Sequence, residues 1–496
     1  MTENSPSGGV PQSSVLVRLA EPERSKLEDV LFARGNAEGG SFALFGWREL
    51  PTGPTRLVVT LAEVIAPKAG EIESAVDRFR ILHPYLRRVA TGSDHHGLAV
   101  GFVHSHPEGF APGQSVLDAD LDAYLATYFA DFTPGRPYVG LIMSRIGNET
   151  AVSGRVRLGG AWTQVARVSA ERDPTVRAWP EGQPPAPAPP PPPRVERMTS
   201  AFGEEAFQRL QRSTVALIGA GGTGSAAIPI LARAGVGRLI VVDGDHATIS
   251  NLERLHGSCL KDVEQAVPKA TIAKVSVGHY APDVVVEAIV GRLPQREVLD
   301  AVVQADVMLG CTDQHSSRLA VADVATRYLI PSIDCGGLIE GADGVVTGQL
   351  VQLVRFLAAD PCPRCRGMIS ETRVAQEAVA KEDRLSAARQ VELAFAAGER
   401  PDPILTALPQ IDTVGYITTT AGTLAAGFAI GWLTGRFQPQ FERLQLDLVG
   451  HCLGAVDRRQ VARPNCVCRQ VRGHADQAAA SAPILVPPHW PAVVSG

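Results

Sequence analysis

Two histidines separated by one residue, His104 and His106, close an apolar run, GLAVGFVHSHP. Side chains alternate across an extended strand, so both imidazoles fall on one face. Asp118 follows on the first turn of a predicted helix over 116–129. Two imidazoles and a carboxylate leave one corner of a tetrahedron for water, the arrangement of catalytic rather than structural zinc. Zinc brings the pKa of a bound water from about 15.7 to about 7, but a base must still take a proton and return it to a leaving amine. Glu38, in NAEGGSFALFG, is the candidate base.

A second constellation begins at Ser213, where the apolar run VALI enters a glycine loop. Gly219, Gly221, Gly222 and Gly224 let the backbone turn and approach a phosphate at a helix N-terminus. Asp243, at the end of the next apolar run, stands where a ribose-binding carboxylate is expected. Up to this point a nicotinamide dehydrogenase fits equally well. Arg254, Lys269 and Asp313 separate the two readings, because a triphosphate with magnesium needs cations and a metal-holding carboxylate. The set points to ATP and Mg2+.

All eight cysteines lie in the second half of the chain. Cys362-Pro-Arg-Cys365 and Cys466-Val-Cys468 form two pairs, and a structural zinc site of four cysteines is the natural reading, with Cys452 as an alternative ligand. Four buried apolar thiols are the plainer reading.

These residues need elements to carry them. A chain of 496 residues has room for two or three cores. Its 45% hydrophobic and 20% charged residues are the composition of a folded globular protein. A formal net charge of -5 argues against nucleic acid as a partner. MTENSPSGGVPQSS has no basic region followed by an apolar stretch, so a cytoplasmic location is expected. Residues 413–435 carry no charge, but their Thr and Gly content favours a buried helix over a membrane span, and no membrane partner is expected. The run PEGQPPAPAPPPPP reads as a stiff spacer. The expected division is a tail over 1–14, a zinc-hydrolase domain of mixed α and β structure over 15–175 and a proline-rich linker over 176–196. A Rossmann-type α/β domain over 197–475 and a tail over 476–496 follow. Strands are expected over 56–65, 98–103 and 138–144. His83, His95 and His96 read as solvated groups, the last two on the rim of the histidine site.

His104-Ser-His106-Pro107 with Ser115-x-x-Asp118 resembles the metal motif of the JAMM (MPN+, Mov34/JAB) metalloisopeptidases, over about 15–167. The resemblance implies that His104, His106 and Asp118 bind catalytic zinc, that Glu38 is the general base and that Ser115 supports the tetrahedral oxyanion. The stretch from Pro107 to Ser115 is one residue longer than in that family. The glycine loop, Asp243, Asn251-x-x-Arg254, Lys269 and Asp313 resemble the ThiF/MoeB and ubiquitin-activating enzymes, over about 197–468. That likeness implies adenylation of the C-terminal glycine of a ubiquitin-like protein. Gly219, Gly221, Gly222 and Gly224 line the nucleotide, Asp243 holds ribose, Asn251, Arg254 and Lys269 reach phosphates, and Asp313 binds Mg2+. Arg197 matches an arginine that crosses a homodimer interface to the partner's ATP. Leu255 and Met198 stand where glutamines are usual. Members that carry a thioester need a cysteine beyond the adenylation site, yet 366–451 has none, leaving Cys335 and Cys452, for which packing is the plainer role.

The resulting expectation is a bifunctional enzyme of a bacterial ubiquitin-like system, activating a small protein and trimming its precursor or conjugates, with a conjugating-enzyme-like protein as a further partner. Two alternatives stay open: activation and processing of a sulfur-carrier protein, and a docking module with one idle domain.

Overall fold

The computed structural model describes residues 14–35, 37–75, 78–93, 97–186, 189–406, 413–456, 460–477 and 486–496. His95 and His96 lie outside them. The chain forms two compact units whose membership interleaves: Met1–Ala170, Thr175–Ala186 and Gly473–Ala479 in the first, and Glu171–Pro174, Pro187–Arg472 and Ala480–Gly496 in the second.

The first unit runs β1 (Ser14–Leu19), α1 (Glu23–Leu31), β2 (Gly40–Glu49), β3 (Thr55–Ile65), β4 (Ile72–Ala75), β5 (Arg78–Ile81), α2 (His83–Ser93), β6 (Ala99–Ser105), α3 (Val116–Ala130), β7 (Tyr138–Ile146), β8 (Glu149–Leu158), β9 (Ala161–Ala170) and β10 (Val176–Ala178). Its main sheet has the order β10-β8-β7-β6-β2-β3-β1-β9, and β8 also pairs with β9, which closes the sheet on itself. The run SFALF in β2 is buried throughout because both faces are covered. Ala43 and Phe45 join a core with β1 and α1, while Phe42 and Leu44 join a second core with α2 and α3. The Phe42 ring sits 4.9 Å from Tyr85 of α2, 5.1 Å from Phe102 of β6 and 5.4 Å from Phe129 of α3. Such aromatic pairs contribute about 0.5–1.5 kcal/mol each beyond burial, and these fix α3 against β6.

Residues 473–477, expected to end one domain and begin a tail, complete the first unit instead. Pairing of β2 with β6 stops at Phe45, which leaves the backbone beyond it in need of partners. The Trp47 amide donates to Gln477 Oε1 at 2.9 Å, Thr60 Oγ1 donates to the Gly473 carbonyl at 2.6 Å, and Ala475 bridges Trp47. A Cβ on Gly46 would stand 2.3 Å from the Gly473 oxygen, so only glycine admits this segment. The spacer expected to start at 176 is likewise shorter: β10 pairs with β8, and polyproline geometry is seen at Pro192, with φ −66° and ψ 151°.

The second unit opens with α4 (Glu196–Phe202) and α5 (Glu204–Arg212), then β11 (Thr214–Ile218), α6 (Gly222–Ala234), β12 (Arg238–Val242), α7 (Leu260–Glu264), α8 (Lys269–Tyr280), β13 (Val285–Val290), α9 (Arg296–Val302), β14 (Val307–Gly310) and α10 (His315–Tyr328). It continues with β15 (Ser332–Ala342), β16 (Val345–Phe356), α11 (Glu371–Ala378), α12 (Lys381–Ala396), α13 (Gly415–Thr434), β17 (Arg443–Asp447), β18 (Cys452–Val456), α14 (Val467–Gln470) and β19 (Val494–Ser495). The sheet order is β18-β17-β16-β15-β14-β11-β12-β13-β19, with β11 to β15 parallel. The order reverses between β11 and β14, the switch point where an open α/β sheet forms its ligand crevice. The uncharged stretch at 413–435 forms α13, whose Ala421, Ala425, Ala426 and Ala429 are fully buried in the core of this unit. No helix among the described residues is long and apolar enough to cross a membrane.

Candidate functional sites

In the first unit, β6 lies between β2 and β7 and delivers His104 at its end, paired with Gly40 and Ile142. Ser115 begins α3 with a capping box: its Oγ accepts from the Asp118 amide at 3.2 Å, and the Asp118 carboxylate accepts from the Ser115 amide at 2.8 Å. The cap turns Asp118 toward the strand end. His104 Nε2 lies 3.2 Å from one Asp118 oxygen and His106 Nε2 3.7 Å from the other. Burial raises the Asp118 carboxyl, but the imidazoles of His104 and His106 beside it outweigh this and hold the group far below the usual carboxylate range. Burial lowers the His106 imidazole, and Asp118, the Ala111 carbonyl and the Glu38 charge carry it above its ordinary value.

Ligand atoms of His104, His106 and Asp118 all fall within 4.8 Å of one another. His104 Nε2 is buried without an aligned hydrogen bond. Its nearest charged neighbour is the Asp118 oxygen 3.2 Å away, itself one of the three donors, so the set fits a zinc ion with one open position. Glu38 stands just before β2, near enough for its charge to act on His106. Ser115 Oγ acts as an acceptor in the cap and keeps its own O–H to donate. Asp122, which the sequence did not single out, lies one helical turn beyond Asp118. It accepts from Gln114 Nε2 at 2.9 Å, the Tyr138 hydroxyl at 3.2 Å and Arg155 Nε at 3.4 Å, bracing α3 against β7 and β8.

The four cysteines Cys362, Cys365, Cys466 and Cys468 also converge within 4.8 Å, and Cys452 is exposed and outside the group. Cys362 and Cys466 sulfurs are 3.6 Å apart, and those of Cys365 and Cys468 are 4.0 Å apart. Four thiolates at about 2.3 Å from a tetrahedral zinc stand about 3.8 Å from each other, so the set fits. Cys362 is pushed down to about 5, first by its hydrogen bond with Cys468, whose own thiol is pushed far up. One thiolate is held by its neighbours' S–H groups, and four can be charged together only around a cation.

A cleft of about 600 Å³ opens at the switch point of the second unit. Gly219, Gly221, Gly222, Asp243, Asn251, Arg254, Lys269 and Asp313 line it. Gly219 has φ +101°, and a Cβ there would meet the Cys311 carbonyl at 2.6 Å. Gly224 does not line the cleft: a Cβ on it would stand 1.9 Å from the Gly219 oxygen, so it seats α6 on the loop. Asp243 accepts from the Ala220 amide at 2.7 Å and the Asp245 amide at 2.8 Å, and burial pushes its carboxyl up against the pull of Lys269. Asn251 caps its own turn by accepting from the Thr248 amide. Lys269 Nζ is 3.2 Å from Asp245, and Arg254 bonds the Ser250 carbonyl. Asp313 is exposed to the cleft with no ion pair among the described residues, a carboxylate available to a cation. Leu255 is buried with Ala247 and Ile272, an apolar contact in place of a polar one. Arg197 is exposed on α4 and outside the cleft.

Cys335 is a poor nucleophile here. It is buried on β15 with its sulfur 3.6 Å from Cys311, and the Cys311 hydrogen bond and burial push its thiol well above its ordinary value. The cleft also holds residues the sequence did not signal: Asp245, Arg292, Arg318, Arg373 and Trp490. Arg373 belongs to α11, which Glu377 anchors by accepting from the His315 and Ser316 amides at the start of α10, at 3.0 and 2.7 Å.

The family model described as ThiF family matches residues 195–470, more than half of the chain. The chain belongs to the ThiF family. A SAMP-activating enzyme E1 of Haloferax volcanii is 38% identical over 163 residues, 33% of this chain and 56% of the relative. A sulfur carrier protein ThiS adenylyltransferase of Escherichia coli is 38% identical over 146 residues, 29% of this chain and 55% of the relative. An adenylyltransferase and sulfurtransferase UBA4 of Debaryomyces hansenii is 32% identical over 158 residues, 32% of this chain and 33% of the relative. The chain thus spans about half the length, or less, of these curated relatives. Among solved structures, E. coli MccB with ATP aligns at 16% identity and a TM-score of 0.41, covering 56% of this chain and 74% of that one.

Proposed function

We propose that this ThiF-family protein uses ATP to adenylate the C-terminal carboxylate of a small carrier protein of the sulfur-carrier or ubiquitin-like kind. The observation that carries the reading is the cleft at the switch point, where the cations Arg254 and Lys269 and the unspent carboxylate Asp313 share one space with the glycine loop. In this reading a carboxylate oxygen of the carrier attacks the α-phosphorus of ATP. The bond from that phosphorus to the bridging oxygen breaks, and pyrophosphate leaves with the electron pair. Gly221 and Gly222 amides at the start of α6 face the phosphates, Arg254 and Lys269 offset their charge, and Asp243 takes the ribose. Asp313 would hold a magnesium ion, which when bound would supply positive charge against the departing pyrophosphate. Arg197, exposed on α4, is proposed to serve the cleft of a second copy, which requires a homodimer.

The sulfur-carrier form of this reading is favoured over modification of target proteins. Residues 366–451 hold no cysteine and the Cys335 thiol is buried against Cys311, which leaves the exposed Cys452 as the remaining thiol the sequence offered and favours passage of the acyl-adenylate to an outside nucleophile. Similarity to adenylyltransferases named for a sulfur carrier agrees with this.

For the first unit we propose a zinc-dependent amidase of the JAMM kind, which trims the carrier's precursor to its terminal glycine. His104, His106 and Asp118 would hold a zinc ion, which when bound would supply a Lewis acid that makes water nucleophilic near neutral pH. Glu38 takes the proton and returns it to the leaving amine, and the Ser115 O–H faces the developing oxyanion. Pyrophosphate exchange with small proteins ending in glycine tests the adenylation reading. Asp313→Ala should lower the rate about 100-fold or more; exchange that survives at the wild-type rate overturns the assignment, and no exchange with any carrier favours the docking role.

A further inference from the structure

We propose that Trp490 forms the wall of the base end of the nucleotide cleft, so that residues 486–496 belong to the ATP site; the inference rests on the ATP reading above. The sheet itself gives the direction. The glycine loop follows β11, the ribose carboxylate Asp243 follows β12, and Gly291, Arg292 and Leu293 follow β13, all lining one cleft. Neighbouring strands lie about 4.8 Å apart, so the step from β11 to β13 covers about 10 Å. That is the scale on which phosphate, ribose and base of one adenine nucleotide follow each other.

Trp490 lines the cleft at the β13 end. Its ring faces the Arg292 guanidinium with 5.9 Å to the centroid, and Arg292 lies across Gly244 and bonds Asp245 at 2.6 Å, two residues from the ribose carboxylate. The segment is built in rather than draped. Val494 and Ser495 pair antiparallel with Val290 and Ile289, the Gly496 amide donates to the Ala288 carbonyl at 2.9 Å, and Lys274 Nζ reaches a Gly496 oxygen at 2.6 Å. Gln295 ties the two sides together: its Oε1 accepts from the Arg292 amide at 2.7 Å and its Nε2 donates to the Pro491 carbonyl at 2.8 Å. An indole half-buried at a cleft wall, held from behind by strand pairing, presents a flat apolar face to a purine. Arg292 has a planar face of its own, so base, indole and guanidinium can stack.

The test uses the full chain, Mg-ATP and equilibrium binding. Base–aromatic stacking lost to alanine weakens binding by about 10-fold or more. Trp490→Ala should therefore raise the ATP Kd by about that factor, and Trp490→Phe, which keeps a flat ring, should stay within about three-fold. ATP should quench tryptophan emission in the wild type, and Trp490→Phe should abolish most of the quench, since the other four tryptophans, Trp47, Trp162, Trp179 and Trp432, do not line the cleft. Wild-type affinity in Trp490→Ala, an unchanged quench in Trp490→Phe, or equal weakening in both variants overturns the proposal. In each of those cases the wild type still binds ATP and the ATP reading stands; a wild type that binds no ATP takes both readings down. Should Trp490→Ala melt well below the wild type, the phenylalanine variant and the quench decide.

Discussion

The two clusters that could hold a metal differ in how many donors they bring and in what those donors join. Cys362, Cys365, Cys466 and Cys468 supply four sulfurs from two segments about a hundred residues apart in sequence. The segments follow β16 and β18 of the same unit, so a metal there closes a long loop. His104, His106 and Asp118 supply three donors from one strand end and the adjacent helix. Their positions are already fixed by β-pairing, by a capping box and by the Phe42 cluster. On the proposed reading, a metal at the first set would hold the fold, and at the second the fold would hold the metal. A full tetrahedron suits structure, and an open one suits chemistry.

The largest expected effect comes from breaking the sulfur cluster. Structural zinc contributes about 10–16 kcal/mol in small isolated sites, and even a fraction of that is most of a domain's stability. Cys466→Ser should lower the zinc content by one ion per chain and the melting temperature by about 10 °C or more, measured by elemental analysis and calorimetry. A variant that loses the ion and melts with the wild type would show the cluster to be incidental.

The histidine cluster should respond the other way. His106→Ala is expected to remove one zinc per chain and all amide hydrolysis of a tailed carrier, with the melting temperature unchanged within about 3 °C. Glu38→Gln separates the ion from the base: zinc should stay, and hydrolysis should fall by about 100-fold or more. Retained hydrolysis in Glu38→Gln moves the base elsewhere, and a large drop in melting temperature for His106→Ala removes the contrast between the clusters.

What the sequence carried of these sites follows from local spacing. An H-x-H at a strand end is legible because strand faces alternate, Ser115-x-x-Asp118 because a helix start has its own chemistry, and two close cysteine pairs because short spacing brings sulfurs together. The glycine loop and Asp243 were legible for the same reason, since a strand, a turn and a helix follow one another without a gap. Three features were not. The segment 473–477 completes the first unit through the space beyond Phe45, Trp490 reaches the cleft on the segment that leads into a strand added at the sheet edge, and Glu377 pins α11 to the start of α10. Each joins residues far apart in sequence through backbone groups or a single side chain, with no periodic pattern to announce it. Gly224 was legible as a glycine but not in its role, because the contact that demands it is with the Gly219 backbone oxygen rather than with a nucleotide.

The smallest effect sharpens the comparison most. Ser115 Oγ accepts from the Asp118 amide at 3.2 Å, and losing such a cap costs about 1 kcal/mol. Ser115→Ala should therefore lower the melting temperature of the first unit by only about 2–4 °C and leave both zinc ions in place, because the remaining half of the capping box still holds Asp118 through the Ser115 backbone amide. Hydrolysis separates two roles for the same hydroxyl. If it serves only as a cap, kcat and KM stay within about two-fold of the wild type. If its O–H also meets the developing oxyanion, kcat falls by about 100-fold with KM unchanged, the signature of a contact made in the transition state alone. The second outcome is the one expected, because the capping geometry uses the oxygen as an acceptor and leaves its proton free to face the open position beside His104 and His106.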